Sequence, residues 1–205
     1  MEHRRGSVGG PRTPEAVQRW LRTLPYNYER SGPTLRSLRG VKRYGTAHCL
    51  EAALATAVLL EPLGYPPLLL DLESADRVDH VVFAFQRGGK WGAVGASRDA
   101  GLFGRRPAYP SPFALARSYY APYVTDRARI EAWVLADLRD LSGCAWRTTH
   151  GNVWQVERWL TGLPHRPLPS SDRHYTRLAA RYRRFQAAGA GDAATPFDAH
   201  SAHWM

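Results

Sequence analysis

The residues of this sequence best suited to covalent chemistry are Cys49 and His80. Cys49 follows a turn containing Gly45 and opens an alanine-rich segment, residues 46–61, whose apolar spacing predicts a helix. A thiolate at that place is favoured because the free N–H groups and the dipole of a helix N-terminus attract negative charge. His80 opens an alternating segment typical of a strand, and its imidazole could serve as the base of a cysteine nucleophile.

The same residues also allow a structural interpretation. Free cysteine is often buried as a small apolar residue, and Ala52, Ala53 and Ala57 form a face that would accept Cys49 in a core. His80 follows Asp79, so it could be a polar strand end satisfied by that carboxylate. Spacing alone therefore leaves both the catalytic and the structural interpretation open.

The elements that would position this pair predict an α+β fold. Helical segments come first, then the Cys49 helix, a strand and a hairpin, and then further helices, which differs from a repeating β-α-β pattern. The predicted elements are helices from Thr13, over 35–41, over 46–61, from Ser111, over 146–163 and from Ser171, and strands over 67–72, 80–86 and 91–96; residues 101–112 read as irregular.

An ordered set of motifs resembles the core of the transglutaminase-like superfamily. The set is Gly45-Thr46-Ala47-His48-Cys49-Leu50-Glu51-Ala52-Ala53, then Leu63-Gly64-Tyr65-Pro66-Pro67 and a strand, then Asp79-His80-Val81-Val82. This papain-related group includes bacterial transglutaminase-like peptidases, arylamine N-acetyltransferases and peptide N-glycanases. The resemblance covers about residues 44–97.

The resemblance implies a papain-like core in which the catalytic helix packs on a small antiparallel sheet. Cys49 would be the nucleophile and His80 the general base, and an acyl-enzyme would pass to water or to an amine. The Cys49 N–H would contribute to an oxyanion hole. The implied substrate is a peptide, a protein or a small amide, with no cofactor and no metal.

One position departs from the family pattern. An aspartate or asparagine on the following strand usually orients the histidine in that superfamily, and Gly95 stands there in this sequence. Asp99 is the first candidate for the missing group, and Ser97 and Asp71 are the others. A poorly oriented imidazole would weaken catalysis. The alternative is therefore an inactive transglutaminase-like fold that binds a peptide or a protein.

The charge of the chain supports a different alternative. Lysine and arginine total 28 against 18 acidic residues, giving a net charge of +10, and the densest basic cluster is Arg173, Arg177, Arg181, Arg183 and Arg184. Such a face is typical of a nucleic-acid-associated protein. The arginines are otherwise dispersed, and no zinc-finger, RNP or helix-turn-helix signature accompanies them, so an arginine-rich composition explains them equally well.

Other constellations carry less weight. His48 and Cys49 with His80 could bind a metal, but neighbouring helical residues point about 100° apart. Cys144 and His150 lack zinc spacing. Two further sets could bind a ligand or simply be structural: Trp146, Trp154 and Trp159 as a platform or as core, and Arg105-Arg106 as a grip for an acidic group or as part of an exposed loop.

Composition also bounds the organisation of the chain. We expect a disordered N-terminus over 1–12, one domain over 13–186 with its core at about 44–97 and a helical C-terminal part at about 111–186, and a flexible tail over 187–205. No apolar run approaches the roughly 18 residues that span a bilayer, and no secretory signal is evident. We therefore expect a cytoplasmic protein with no membrane partner, in which both cysteines are free thiols.

Overall fold

A six-stranded antiparallel sheet lies at the centre of the computed structural model, which describes residues 10–188 and 201–205 apart from the side chains of Ala100 and Ser201. The strands are β1 (Leu68–Ser74), β2 (His80–Arg87), β3 (Lys90–Val94), β4 (Arg105–Tyr109), β5 (Ile130–Asp137) and β6 (Arg166–Pro167). Their order across the sheet is β4-β3-β2-β1-β5-β6. The fold is therefore α+β, as the sequence predicts.

Helices cover both faces of this sheet. They are α1 (Pro14–Arg22), α2 (Leu38–Tyr44), α3 (Cys49–Leu60), α4 (Pro112–Arg117), α5 (Tyr120–Tyr123), α6 (Trp154–Thr161) and α7 (Asp172–Ala187), with 3-10 turns at Glu61–Leu63, Ala100–Leu102 and Ser201–His203. Within the described ranges no helix is both long enough and apolar enough to cross a bilayer.

Two hydrophobic clusters form the core, one on each face of the sheet. Leu69 of β1 points into the cluster that includes residues of α1, α2, α3 and α6. Leu70 and Leu72 of the same strand point into the cluster that includes residues of α4, α5 and α7. Successive residues of a strand face opposite sides, so β1 is buried on both faces, and four of its first five residues are leucines.

Helix α3 carries the predicted nucleophile to the start of β2. Gly45 ends α2 in the left-handed conformation, with φ of 66°, which a residue without a Cβ adopts at least cost. The chain then turns through residues 46–48 into α3. Most of this helix is buried, including Ala52, Ala53 and Ala57, and these small side chains let it pack closely on β2.

The hairpin β2–β3 confirms the sequence prediction. Gly88 and Gly89 have φ of 57° and 70°, the positive values that two-residue turns between antiparallel strands require. The register pairs Phe85 with Gly92 and Phe83 with Val94. Gly92 allows β4 to approach, because a Cβ there would lie 2.8 Å from the Arg105 carbonyl oxygen.

The part at 111–186 is not helical throughout, because it contains β5. Residues 130–138 fit either a helix or a strand by apolar spacing. The free edge of β1 decides between them, since β5 pairs along it with Leu70 opposite Leu135 and Asp71 opposite Val134. The sheet consequently extends beyond the core predicted at about 44–97.

Two further boundaries differ from prediction. Residues 101–112, expected to be irregular, contain β4, which pairs with β3. The helix expected over 146–163 is confined to α6. Before it, the N–H groups of Thr148 and Thr149 bond to the Ala145 carbonyl in a turn, and the Val153 N–H donates to the Leu35 carbonyl at 2.8 Å. The turn at Ala145 does not continue into α6, and the Val153 N–H bonds to a partner outside the segment, so the amphipathic pattern overestimated the length of the helix.

The termini are only partly described. Residues 1–9 of the predicted disordered segment and 189–200 of the predicted tail lie outside the described residues. Residues 201–205, which the tail prediction included, contact the fold: Trp204 forms a bridge with Arg105, and the Met205 N–H donates to the Gly104 carbonyl at 3.1 Å.

Candidate active site

Cys49 is the first residue of α3 and is half-buried. Its Sγ lies 4.0 Å from the carbonyl oxygen of Asp79. Burial alone raises the pKa of the thiol, but hydrogen bonds with the side chains of His48 and His80 outweigh it and lower the pKa to about 5. These hydrogen bonds bring the two predicted residues together and favour the thiolate form of Cys49.

The imidazole of His80 is fixed by a backbone carbonyl. His80 is buried at the start of β2, and its Nε2 lies 2.8 Å from the carbonyl oxygen of Leu102. A carbonyl only accepts hydrogen bonds, so Nε2 carries the hydrogen, and Nδ1 is the nitrogen available to Cys49. The Tyr119 ring packs against the imidazole with its centroid 5.6 Å away.

His48 places a second imidazole on the thiol. It precedes α3 as the N-cap residue, and its Nε2 lies 2.9 Å from the Thr34 carbonyl oxygen. Burial lowers the pKa of His48, whereas the hydrogen bond to Cys49, the charges of Cys49 and Glu51 and the bond to Thr34 raise it, giving about 9. From the sequence His48 was considered only as a metal ligand, and its hydrogen bond with Cys49 was not expected.

Glu51 is a fully buried carboxylate that fixes the entry to α3. It accepts hydrogen bonds from the His48 N–H at 3.1 Å and from three groups of the preceding loop, namely Asn27 Nδ2, Thr34 Oγ1 and Arg36 N. A capping box pairs Ser or Thr at the N-cap with a glutamate three residues later. The N-cap here is His48, so the sequence carried only the glutamate half of that signal.

The described interactions of Asp71 and Ser97, two of the three candidates for the orienting group, are with partners other than His80. Asp71 lies on the wrong face: it neighbours Leu72, which pairs with His80, so their side chains point to opposite sides of the sheet. Its Oδ2 instead lies 3.3 Å from His165 Nε2. Ser97 Oγ accepts from the Asp99 N–H, and the Asp99 carboxylate lies 3.8 Å from Arg98 Nε.

Gly95 has no room for the expected acid. A Cβ at this position would lie 2.6 Å from Cγ1 of the buried Val82. The Leu102 carbonyl therefore occupies the role that the family pattern gives to a side chain, and it does so from the 3-10 turn that follows β3.

Two tyrosines lie near enough to the thiol to be influenced by its charge. Burial raises the pKa of Tyr26 and of Tyr123, and the negative charge of Cys49 raises both further. The Tyr123 hydroxyl donates to the Val78 carbonyl, and Tyr26 is held by a backbone bridge to Ala47. Both phenols therefore stay neutral.

The remaining candidates lie elsewhere. Trp146 is fully buried in the core, while Cys144, Trp154 and Arg158 line an open cavity of about 420 Å³ that does not include Cys49. Burial raises the pKa of Cys144. Arg105 is fully buried and not part of an exposed loop. Among the described residues there is no group of three or more potential ligands placed to hold a metal ion.

The sequence was also compared with models of known protein families and with curated proteins. Neither comparison gave a match, so the geometry of the site carries the functional argument.

Proposed function

We propose that this protein is a transglutaminase-like cysteine enzyme that transfers or hydrolyses the acyl group of an amide or peptide substrate. The observation that carries the proposal is the thiol of Cys49 at the first position of α3, in hydrogen-bond contact with two imidazoles that lower its pKa. Covalent acyl chemistry at a cysteine requires a thiolate at the working pH.

The first half of the reaction forms an acyl-enzyme. The thiolate sulfur of Cys49 bonds to the substrate carbonyl carbon, and the π electron pair moves to the oxygen. The N–H groups at the start of α3 stabilise that oxyanion. When the carbonyl re-forms, the C–N bond breaks, and the leaving amine takes the proton that His80 carries on Nδ1.

The second half regenerates the enzyme. Water or an amine attacks the thioester carbon while His80 Nδ1 removes its proton, and Cys49 leaves as a thiolate. The Leu102 carbonyl keeps Nε2 protonated throughout, so Nδ1 remains the atom that gains and loses the proton. His48 supplies a cation beside the sulfur while Cys49 is a thiolate, because the hydrogen bond to Cys49 and the charge of that thiolate outweigh burial and raise the pKa of His48 to about 9.

This geometry also bears on the inactive alternative. That alternative follows from Gly95, because the expected orienting acid is absent there. The Leu102 carbonyl supports activity instead, since it fixes the tautomer of His80 without any side chain at position 95. An orienting acid and an orienting carbonyl both select the same tautomer.

The test uses p-nitrophenyl acetate as an activated acyl donor. We expect a burst of p-nitrophenolate and one acetyl group on Cys49 by mass spectrometry, followed by release to water or, more quickly, to added amine. Cys49→Ala should remove the burst, and Cys144→Ala is the matched control that should keep it. Equal acetylation of the Cys49→Ala variant at neutral pH would refute the proposal.

The arginines of α7 keep the nucleic-acid alternative testable. Arg173, Arg177 and Arg184 are exposed, and so is Arg183, which lies 3.0 Å from the Asp126 carboxylate. Binding of an oligonucleotide that weakens steeply with salt, and that is lost in a triple Arg→Glu variant at Arg173, Arg177 and Arg184, would support it. Absence of binding at low salt would remove it.

A further inference from the structure

The loop that holds His80 is attached to α1 through one buried side chain. Residues 95–104 connect β3 to β4 and carry the Leu102 carbonyl. Gln18 of α1 is 1% exposed, although helix α1 otherwise buries apolar residues such as Val17 and Leu21 on this side. A buried amide needs hydrogen-bond partners, and Gln18 finds all of its described partners in this loop.

Three hydrogen bonds join Gln18 to the two ends of the loop. Its Nε2 donates to the Gly95 carbonyl at 2.9 Å, and its Oε1 accepts from the Gly95 N–H at 3.0 Å and from the Gly104 N–H at 3.1 Å. The side chain therefore satisfies the backbone at both ends and fixes the separation between them.

Both glycines are required for this close approach. A Cβ at Gly104 would lie 2.2 Å from Gln18 Oε1, and a Cβ at Gly95 would lie 2.6 Å from Val82 Cγ1. The buried Arg105, at the start of β4, donates to two carbonyl groups of the loop, that of Gly101 at 2.6 Å and that of Phe103 at 2.9 Å. These two hydrogen bonds hold the backbone on both sides of Leu102.

We propose that Gln18 is a positioning residue for His80, acting through the loop that it clamps at Gly95 and Gly104. This inference rests on the proposed function, because it assigns the residue that keeps the general base in its active tautomer. Gln18 fixes the loop ends, the loop fixes the Leu102 carbonyl, and the carbonyl fixes the hydrogen on Nε2 of His80. Gly95 stands where the superfamily pattern places an orienting acid. Here Gly95 instead anchors the loop whose Leu102 carbonyl takes the place of that acid.

Two substitutions separate this role from simple packing. Gln18→Met keeps the length of the side chain but removes all three hydrogen bonds. Gln18→Glu keeps them when protonated, as burial favours, because a carboxylic acid can donate to the Gly95 carbonyl and accept from both N–H groups. Leu178→Ala is the control: it removes apolar volume from the cluster that also contains Leu102, and so destabilises the fold while leaving the three hydrogen bonds of Gln18 in place.

The primary readout is the nitrogen spectrum of His80, recorded by NMR at a pH where the titration of the same signals shows the ring to be neutral. The wild type should show the tautomer with hydrogen on Nε2. Gln18→Met should show a mixture of tautomers, whereas Gln18→Glu and Leu178→Ala should resemble the wild type. An unchanged tautomer in a folded Gln18→Met protein would overturn the inference.

The second readout is the acetylation rate of Cys49 by p-nitrophenyl acetate. A positioned base raises the reaction rate roughly 10²–10⁴-fold. We expect Gln18→Met to lower kcat about tenfold, with little change in KM. A wild type that is not acetylated would refute the proposed function, while the tautomer measurement would still decide the role of Gln18. The two failures are therefore distinguishable.

Discussion

At the scale of single residues, Cys49 differs from Cys144 through its neighbours. Both are half-buried, and burial disfavours the thiolate of each. Only Cys49 has imidazoles to offset that cost. The protein thus carries an internal reference thiol, and the reactivity of the two cysteines can be compared in one sample.

The pH dependence of alkylation by iodoacetamide should separate these thiols. The pKa of Cys49 is lowered to about 5, so its alkylation rate should stay constant from neutral pH down to about that value and fall below it. The pKa of Cys144 is raised, so Cys144 should react only in alkaline solution. Peptide mapping of each site by mass spectrometry measures both profiles, and identical profiles would contradict the activation of Cys49.

His48 should account for part of this activation. His48→Gln removes the imidazolium that is hydrogen-bonded to the sulfur. An opposite charge this close lowers the pKa of an acidic group by roughly 1–3 units. We expect the alkylation midpoint of Cys49 to rise by about that amount, so that reactivity is lost at pH 6 and recovered in alkaline solution. His150→Gln is the matched control, since His150 is exposed and contacts Arg39. No change of midpoint in His48→Gln would show that His80 alone activates the thiol.

At the scale of elements, the packing at the end of β3 explains why no orienting acid stands at position 95, where the superfamily pattern places one. Gly95 is packed against Val82 of β2, and its N–H and carbonyl are both used by Gln18. An acidic side chain at position 95 would therefore collide with Val82.

Gly95→Asp should destabilise the protein and should not improve catalysis. The new Cβ would collide with Val82, and overpacking of this kind costs about 1–3 kcal/mol before any buried charge is counted. Thermal unfolding should show a lower Tm and the acetylation assay a lower rate. Gly151→Asp is the control, because a Cβ there has its nearest neighbour at 3.7 Å. A faster Gly95→Asp enzyme would mean that the acid, and not the carbonyl, is the better partner of His80.

The sequence predicted the local elements better than their long-range partners. Thr13 caps α1, accepting a hydrogen bond from the Ala16 N–H, and the hairpin glycines lie where expected, because both signals act within a few residues. The orienting group of His80 was not predictable, since a backbone carbonyl has no residue type. Strand β5 was ambiguous for a related reason: its choice between helix and strand depends on the edge of β1, which is distant in sequence.

At the scale of the whole molecule, the pair Asp71–His165 links the sheet to the segment between α6 and β6. His165 Nδ1 faces the Leu163 carbonyl at 2.9 Å, and Nε2 faces the Asp71 carboxylate at 3.3 Å. Both partners only accept, so both ring nitrogens must carry hydrogen for both bonds to form. The hydrogen bond that His165 donates to the Asp71 carboxylate is the largest influence and raises the pKa of His165.

This pair should make stability depend on pH. The folded pKa of His165 exceeds its unfolded value of about 6.5, so its contribution is fully present below that pH and is lost as the pH rises through the folded pKa. Urea unfolding across this window should show the loss in wild type and a flatter profile in Asp71→Asn. His174→Gln is the control, because burial lowers the pKa of His174. A steep profile retained in Asp71→Asn would assign the effect to another group.

The Leu102 carbonyl has a consequence for mutational scanning of this protein. Replacing Leu102 by alanine changes only a buried side chain and leaves the carbonyl in the chain, so an alanine scan would register a packing defect and overlook the partner of His80. Amino-acid substitution cannot delete a main-chain oxygen. Its contribution would instead be visible as intolerance at three separate sites, Gln18, Gly95 and Gly104, none of which touches the nucleophile in the described contacts.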